Sequence, residues 1–349
     1  MEILDNPSKR ILVIQTAFIG DSVLTLPFLQ RLKEENSTSQ IDIVTSPKTE
    51  EIFRHSPVVN QVYVFDKQKS HKSIYKSYSF AKQLRKNNYT KVYTLHRSLR
   101  SAILTLFLKV KESYGFDTSE FSYAFSNIVK YEYKSHEVKR LFAFLKEPEK
   151  VDWRSVTPEV NFESDVISKI DEIINSITPS EKTIAIAPGT EWETKKYPIE
   201  YFIKIINNLI DKNYNILLIG SEQEKKLCST ICSSVSRNVW NFCGELSITE
   251  TIYLLTKVDL LITNDSAPVH FGMAAKVPVL TLYCSTVPEF GFYPYNESSK
   301  YLSISELDCK PCGIHGFRVC PQTHFKCGNE LTPDRSEEHT SELQSPCNL

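Results

Sequence analysis

The chain has 349 residues, 41% of them hydrophobic and 24% charged, with a formal net charge of −1. These values describe a globular protein long enough for two domains, and they exclude a disordered or collagen-like polymer. No run of about 18 apolar residues occurs, and MEILDNPSKR lacks the basic start and apolar core of a signal peptide, so a cytoplasmic location is expected.

In chain order, the first strands are expected at ILVIQT (11–16), IDIVT (41–45), QVYVF (61–65) and KVYTL (91–95). Helical patterns lie between and after them, as at 98–110 and 136–145. Continuous Val/Ile/Leu runs alternating with helices predict a parallel sheet covered on both faces. The first strand runs into Ile-Gly-Asp and then a helix, yet only Gly20 is present where a nucleotide fold carries its glycine-rich fingerprint, and the acidic Asp21 follows it.

Between Lys67 and Lys111 stand twelve Lys and Arg and no Asp or Glu, interleaved with Tyr75, Tyr78, Tyr89 and Tyr93. Such a face attracts phosphates, nucleic acid or an anionic membrane, or is simply solvated.

The pattern loosens over 146–180, which reads as a link carrying one helix at 165–177. A second series follows at TIAIAPGT (183–190), NILLIGSE (215–222), VDLLITND (258–265) and VPVLTLY (277–283), with helices at 198–211 and 248–256. The expectation is α/β class: a domain over 1–160 and another over 161–334, both doubly wound and Rossmann-like, facing a cleft. RSEEHTSELQSPCNL (335–349) has no apolar periodicity and resembles the translation of a common sequencing adapter. It is expected to be an artefact that replaces the natural ending, and with it a C-terminal helix.

The second half carries the sharper chemistry. In LLITNDSAPVHFGMAA a strand ends at Asn264-Asp265, and Pro268 suits the first turn of a helix containing His270. The amides of Ser266 and Ala267 then lie at a positive helix end, an anion-binding arrangement, although an ordinary cap reads the same way. APGTEWETKKYP follows a strand with Gly189, Thr190, Thr194, Lys195 and Lys196. Loop amides, a hydroxyl and a lysine are what a diphosphate needs. Glu222 follows another strand end, where a carboxylate can accept from ribose hydroxyls. At the ends of successive parallel strands these features together describe one nucleotide-diphosphate site.

With IGDSVLTLP, APGTEWETKKYP and TNDSAPVH in one chain, the sequence resembles glycosyltransferase family 9, the ADP-heptose:lipopolysaccharide heptosyltransferases, over about residues 10–334. LHRSLRSAIL and SHEVKRL resemble its heptosyltransferase II branch. The resemblance implies the GT-B architecture, donor bound by the second domain and acceptor by the first. It implies inverting, metal-independent transfer of heptose from ADP-heptose to the lipopolysaccharide inner core, with no cofactor required.

By the same resemblance Asp21 is the catalytic base, although an Asp before a helix is also a common N-cap. Lys195 with the Ser266 and Ala267 amides holds the ADP leaving group, and Asp265 orients the donor. His270 supports the phosphate loop or the sugar, or merely packs. Tyr197 stands where many family members have Trp.

Arg97 and Arg100 are the candidates for holding acidic sugars or phosphates of the acceptor. The basic block is expected to touch the cytoplasmic face of the inner membrane peripherally. His136 and Arg140 match a family motif without a role that spacing assigns. Nine cysteines suggest reduced thiols or a metal before disulfides. Cys309, Cys312, Cys320 and Cys327, with His324, have a spacing compatible with structural zinc, and equally with free thiols or a disulfide made on purification.

A monomer without a nucleic-acid partner is expected. The alternatives are a GT-B enzyme using another nucleotide sugar, and a nucleic-acid-binding protein built on the basic block and a C-terminal zinc site. The absence of G-x-G-x-x-G after either leading strand disfavours an NAD-dependent oxidoreductase.

Overall fold

The computed structural model describes residues 9–235 and 237–334. The segment 335–349, read above as adapter-derived, lies outside them. The chain divides after Asn161 into two compact units.

The first unit runs β1 (Arg10–Gln15), α1 (Ile19–Glu35), β2 (Gln40–Thr45), α2 (Glu50–Arg54), β3 (Val59–Val64), α3 (Ile74–Leu84), β4 (Lys91–Thr94), α4 (Leu99–Leu108), β5 (Glu112–Phe116), β6 (Asn127–Val129) and α5 (Glu137–Phe142). All neighbouring strands are parallel, in the order β3-β2-β1-β4-β5-β6. Ile11, Leu12, Val13 and Ile14 of β1 are all buried, because helices cover both faces of the sheet. One side of the core joins Leu12, Ile14 and Val44 to Phe80 and Leu84 of α3 and Leu104 and Leu108 of α4.

The second unit runs α6 (Ser164–Ser176), β7 (Thr183–Ala187), α7 (Ile199–Asp211), β8 (Asn215–Leu218), α8 (Lys225–Ser233), β9 (Val239–Asn241), α9 (Ile248–Leu255), β10 (Leu260–Asn264), α10 (Pro268–Ala275), β11 (Val279–Tyr283), β12 (Lys300–Ser303) and α11 (Lys326–Asn329). Its sheet is again parallel, in the order β12-β11-β10-β7-β8-β9.

Each sheet has a place where chain order reverses: between β1 and β4 in the first, between β7 and β10 in the second. Loops leaving those two strands on opposite sides open a crevice at their carboxyl ends, where open α/β sheets bind ligands.

The eight apolar runs are strands, and α3, α4, α5 and α9 start on side-chain caps. Ser98 accepts from the Ser101 amide at the start of α4. Ser247 and Glu250 form a reciprocal capping box on α9. The strands β5, β6, β9 and β12 lack an apolar run: ESYGF, NIV, VWN and KYLS are short, and β6, β9 and β12 lie at sheet edges. One expectation is corrected: Cys228 and Cys243 form a disulfide, because α8 packs beside β9 and brings their Cα atoms to 6.6 Å. No helix among the described residues is long and apolar enough to cross a membrane.

Candidate active site

In the first unit the site grows from the carboxyl ends of β1 and β4. Asp21 lies inside the first turn of α1, while the N-cap is Phe18, with no side-chain cap. The capping role is therefore not the one Asp21 plays. Burial pushes its carboxyl up to about 7, and the Glu137 carboxylate adds to the rise. Local backbone amides and the Arg97 charge oppose the shift without reversing it.

Arg97 is occupied elsewhere: its guanidinium lies 4.0 Å from the centroid of the Tyr131 ring. Arg140 approaches the same ring at 4.7 Å and pairs with Glu137 at 2.8 Å, both partners buried. It also donates to the carbonyls of Glu132 and Tyr133. His136 caps α5 by accepting from the Val138 amide and stacks on Trp153 at 4.7 Å. The family-motif residues without an assigned role thus fix the helix that carries Glu137 toward Asp21. Glu137 and Tyr131 have no role in the sequence reading: Glu137 lies inside SHEVKRL but follows no expected strand, and Tyr131 lies in no motif.

Arg97 and Arg100 do not act as one clamp. Arg100 is exposed and donates to the Lys67 carbonyl. Lys67 reaches Ser98 Oγ at 3.1 Å and His96 Nδ1 at 3.3 Å, while Thr16 Oγ1 lies 2.9 Å from the same His96 nitrogen. Burial, with Arg100 nearby, pushes the Lys67 ammonium down to about 8. Burial followed by Lys67 and Arg97 pushes His96 down to about 4, so its imidazole is neutral at pH 7. A second cationic centre therefore stands at the start of α4.

In the second unit Lys195 Nζ and Asp265 Oδ2 meet at 2.6 Å, and Thr286 Oγ1 donates to the same oxygen at 2.6 Å. Lys195 follows β7 and Asp265 follows β10, so the pair sits at the switch point. Asn264 locks the two loops together: its Nδ2 donates to the Pro188 carbonyl at 2.7 Å, and its Oδ1 accepts from the Tyr197 amide at 3.0 Å. Tyr197 itself packs against Phe202 in the core.

Pro268 opens α10, and Ser266 and Ala267 receive the amides of Val269 and His270 on their carbonyls. Their own amides therefore lie at the positive end of this helix. His270 is buried, and burial followed by Lys195 pushes its imidazole down to about 3. Among the described residues its Nδ1 has no hydrogen-bond partner, and the same holds for the buried Ser285 Oγ and Tyr283 OH. Such atoms each cost about 1–3 kcal/mol, and a polar ligand relieves that cost.

The rest of the diphosphate loop is held from a distant part of the sequence. Thr194 exchanges two hydrogen bonds with the Phe317 backbone, at 3.0 and 2.8 Å. Gly316, at φ +79°, leaves so little room that a Cβ there would lie 2.9 Å from Thr194 Oγ1 and 3.0 Å from Ser285 Oγ. Thr190 is buried on the loop after β7. Gly189 admits the Glu224 side chain, whose Oε1 would lie 1.9 Å from a Cβ at that position.

Glu222 is brought less close to this group: it is exposed, 3.4 Å from Lys225, and rests on Gly244. The acidic residue against the loop is Glu224, two positions further on, because a 3-10 turn at Glu222–Glu224 intervenes after β8.

Cys309 and Cys312 flank Lys310, which donates to the Tyr283 carbonyl and to Ser303. Cys309 Sγ is 3.9 Å from His324 Nε2. Among the described residues no three His, Cys, Asp or Glu side chains are arranged to hold a metal ion, so the donor set for a zinc at Cys309, Cys312, Cys320 and Cys327 is not assembled.

The comparisons with known proteins identify the family and the fold. The family model "Glycosyltransferase family 9 (heptosyltransferase)" matches residues 77–316. Lipooligosaccharide heptosyltransferase 2 of Campylobacter jejuni is 25% identical over 345 residues, covering 97% of this chain and 100% of that protein. Among solved structures, Escherichia coli ADP-heptose lps heptosyltransferase II superposes with a TM-score of 0.79 at 20% identity, covering 96% and 98% of the two chains. A glycosyltransferase family 9 protein of Veillonella parvula reaches 0.85 at 20% identity, covering 96% and 97%. Two six-stranded parallel α/β units of this kind are the GT-B fold, and the protein is a glycosyltransferase. The chain belongs to glycosyltransferase family 9, the heptosyltransferases.

Proposed function

We propose that this enzyme transfers heptose from ADP-heptose to the inner core of lipopolysaccharide, with inversion at the anomeric carbon, at the cytoplasmic face of the inner membrane. The observation that carries the reading is the pairing of Lys195 with Asp265 at 2.6 Å beside the start of α10, in a chain of this family. The names of its relatives, lipooligosaccharide and lipopolysaccharide heptosyltransferases 2, supply the sugar and the acceptor class.

In this mechanism the second unit holds ADP-heptose. Lys195 and the amides of Ser266 and Ala267 take the charge that gathers on the β-phosphate as the glycosidic bond breaks. Asp265, fixed by Lys195 and Thr286, accepts from the donor sugar. The neutral His270 offers its unpartnered Nδ1 to the same ligand. Gly189, Thr190 and Thr194 shape the loop, and Glu224 or Glu222 receives the ribose hydroxyls.

The first unit supplies the base. With its carboxyl raised to about 7, Asp21 is a stronger base than an ordinary carboxylate and is still half ionised near neutrality. It takes the proton of the acceptor hydroxyl as that oxygen attacks the anomeric carbon. Arg100 beside Lys67, and Arg97 separately, attract the acidic groups of the acceptor. No metal-dependent step is invoked.

Thermal stabilisation by ADP and ADP-heptose, against UDP- and GDP-sugars, tests the donor. A ligand at about 100 times its Kd adds roughly 2.7 kcal/mol. Selective stabilisation by the adenine nucleotides supports the reading; a preference for UDP or GDP replaces the donor sugar.

A further inference from the structure

One surface of the first unit is not used by this chemistry. On α3 the residues Ser77, Phe80, Ala81 and Leu84 are buried, and Phe80 stacks on Phe65 at 5.3 Å between ring centres. The opposite face, spaced three and four residues apart, presents Ile74, Tyr75, Tyr78 and Lys82 to solvent. Ile74 is 63% exposed and Tyr75 is 77% exposed, values that a helix packed on a partner would not show. Leu106 on the neighbouring α4 is also exposed, and Tyr123, in the turn beside it, is 89% exposed.

The ends of the two helices enclose an open groove of about 460 Å³ lined by Tyr78, Arg85, Leu106, Phe107, Lys109 and Val110. Its wall is fixed: Tyr78 meets Phe107 edge-on at 5.3 Å, and Arg85 donates to the Phe107 carbonyl at 2.7 Å. Around these apolar groups stand the exposed Lys72, Lys76, Lys82, Lys86, Lys109 and Lys111, and no acid interrupts the chain from Lys67 to Lys111. The next acid, Glu112, is engaged by Lys91 at 3.1 Å.

We propose that the outer face of α3 and α4, with Tyr123 and the groove between the helix ends, docks the enzyme onto an anionic phospholipid surface. The chemistry of the patch selects this occupant. Exposed isoleucine and leucine gain from entering the acyl boundary and would gain little from stacking on nucleic-acid bases. Tyrosines settle where one end of the ring is wet and the other apolar. Long lysines keep their ammonium groups at the phosphates while their stems cover apolar surface. The proposal deepens the reading that the acceptor is held in a membrane, and it assigns the lipid contact to residues other than Asp21, Arg97 and Arg100, the last of which stands in the first turn of α4.

The test is flotation of the full chain with vesicles of phosphatidylcholine alone, and with phosphatidylglycerol added, at low and high salt. Binding to the anionic vesicles, weakened by salt, is expected. The pair Lys72→Ala and Lys76→Ala should lower partitioning by on the order of tenfold or more. The pair Ile74→Ser and Tyr75→Ser should lower it at both salt concentrations. All four positions are exposed, and an unchanged melting temperature confirms folding.

Equal binding to neutral and anionic vesicles, unchanged binding of both pairs, or binding only when an inner-core glycolipid is present and lost in Arg100→Ala would each overturn the proposal. So would capture of a single-stranded oligonucleotide by the same residues with no vesicle binding. Stabilisation by ADP is measured in parallel on the same samples: its failure beside intact vesicle binding would sink the donor reading and leave the docking surface standing.

Discussion

In the first unit the crevice at the reversal of strand order holds Asp21, a carboxylate with a second carboxylate, Glu137, as its strongest charged neighbour. In the second unit the equivalent crevice also holds a carboxylate, Asp265, but here a lysine and a threonine hydroxyl meet its oxygen at 2.6 Å. Strand order and parallel pairing are alike, Asp21 follows the first strand of its unit and Asp265 the fourth, and the electrostatics are opposed. The arrangement in one unit makes a carboxylate basic, and in the other it fixes a carboxylate beside the positive end of α10. The fold sets where chemistry can happen; the partners brought by later helices decide which chemistry it is.

The largest effect is expected from Asp21→Asn, which should lower transfer by about 10²–10⁴-fold while leaving stabilisation by ADP unchanged. Retention of full activity would remove Asp21 as the base.

Lys195→Ala should weaken donor binding by about 10–100-fold, the range of a lost hydrogen bond to a charged group. Equilibrium binding of ADP checks it, and unchanged affinity would put the diphosphate elsewhere.

Asn264→Ala leaves the Pro188 carbonyl and the Tyr197 amide without their partner, and should destabilise the chain by about 2–4 kcal/mol. Chemical denaturation measures this.

Smaller, but more pointed, is the pH dependence of stability in Asp21→Asn. The folded pKa of Asp21 lies above its ordinary 3.8, so burial favours the protonated acid. That stabilising contribution is complete below the ordinary value and is lost as pH rises through about 7. An amide does not ionise, so the variant should overtake the wild type across this window by on the order of 2 kcal/mol, a figure discounted for partial exposure of the group. Parallel stability curves for the two proteins would contradict the raised value.

Much of this layout is legible in the sequence. The runs ILVIQT, TIAIA and LLITN announce buried parallel strands, and Asp21, Lys195 and Asp265 can be found because each follows one of them. What periodicity hides is long-range partnership. Glu137 lies more than a hundred residues from Asp21, on a six-residue helix placed by an Arg140 pair and a His136–Trp153 stack. Thr286 reaches Asp265 across neighbouring strands, and Phe317 closes on Thr194 from a loop with no regular element. Glu224 takes a position close to the one expected of Glu222 because a single 3-10 turn shifts the chain after β8. Edge strands such as KYLS are hard to read because half their surface faces water and needs no apolar side chain.

The most direct measurement is the pH dependence of kcat/KM for heptose transfer, in the wild type and in Glu137→Gln. A rising limb near pH 7 is expected in the wild type, where Asp21 ionises, and a shift of that limb to lower pH when the neighbouring negative charge is removed. A wild-type rate that stays flat down to the ordinary carboxylate range, or a limb unmoved by Glu137→Gln, would contradict that expectation.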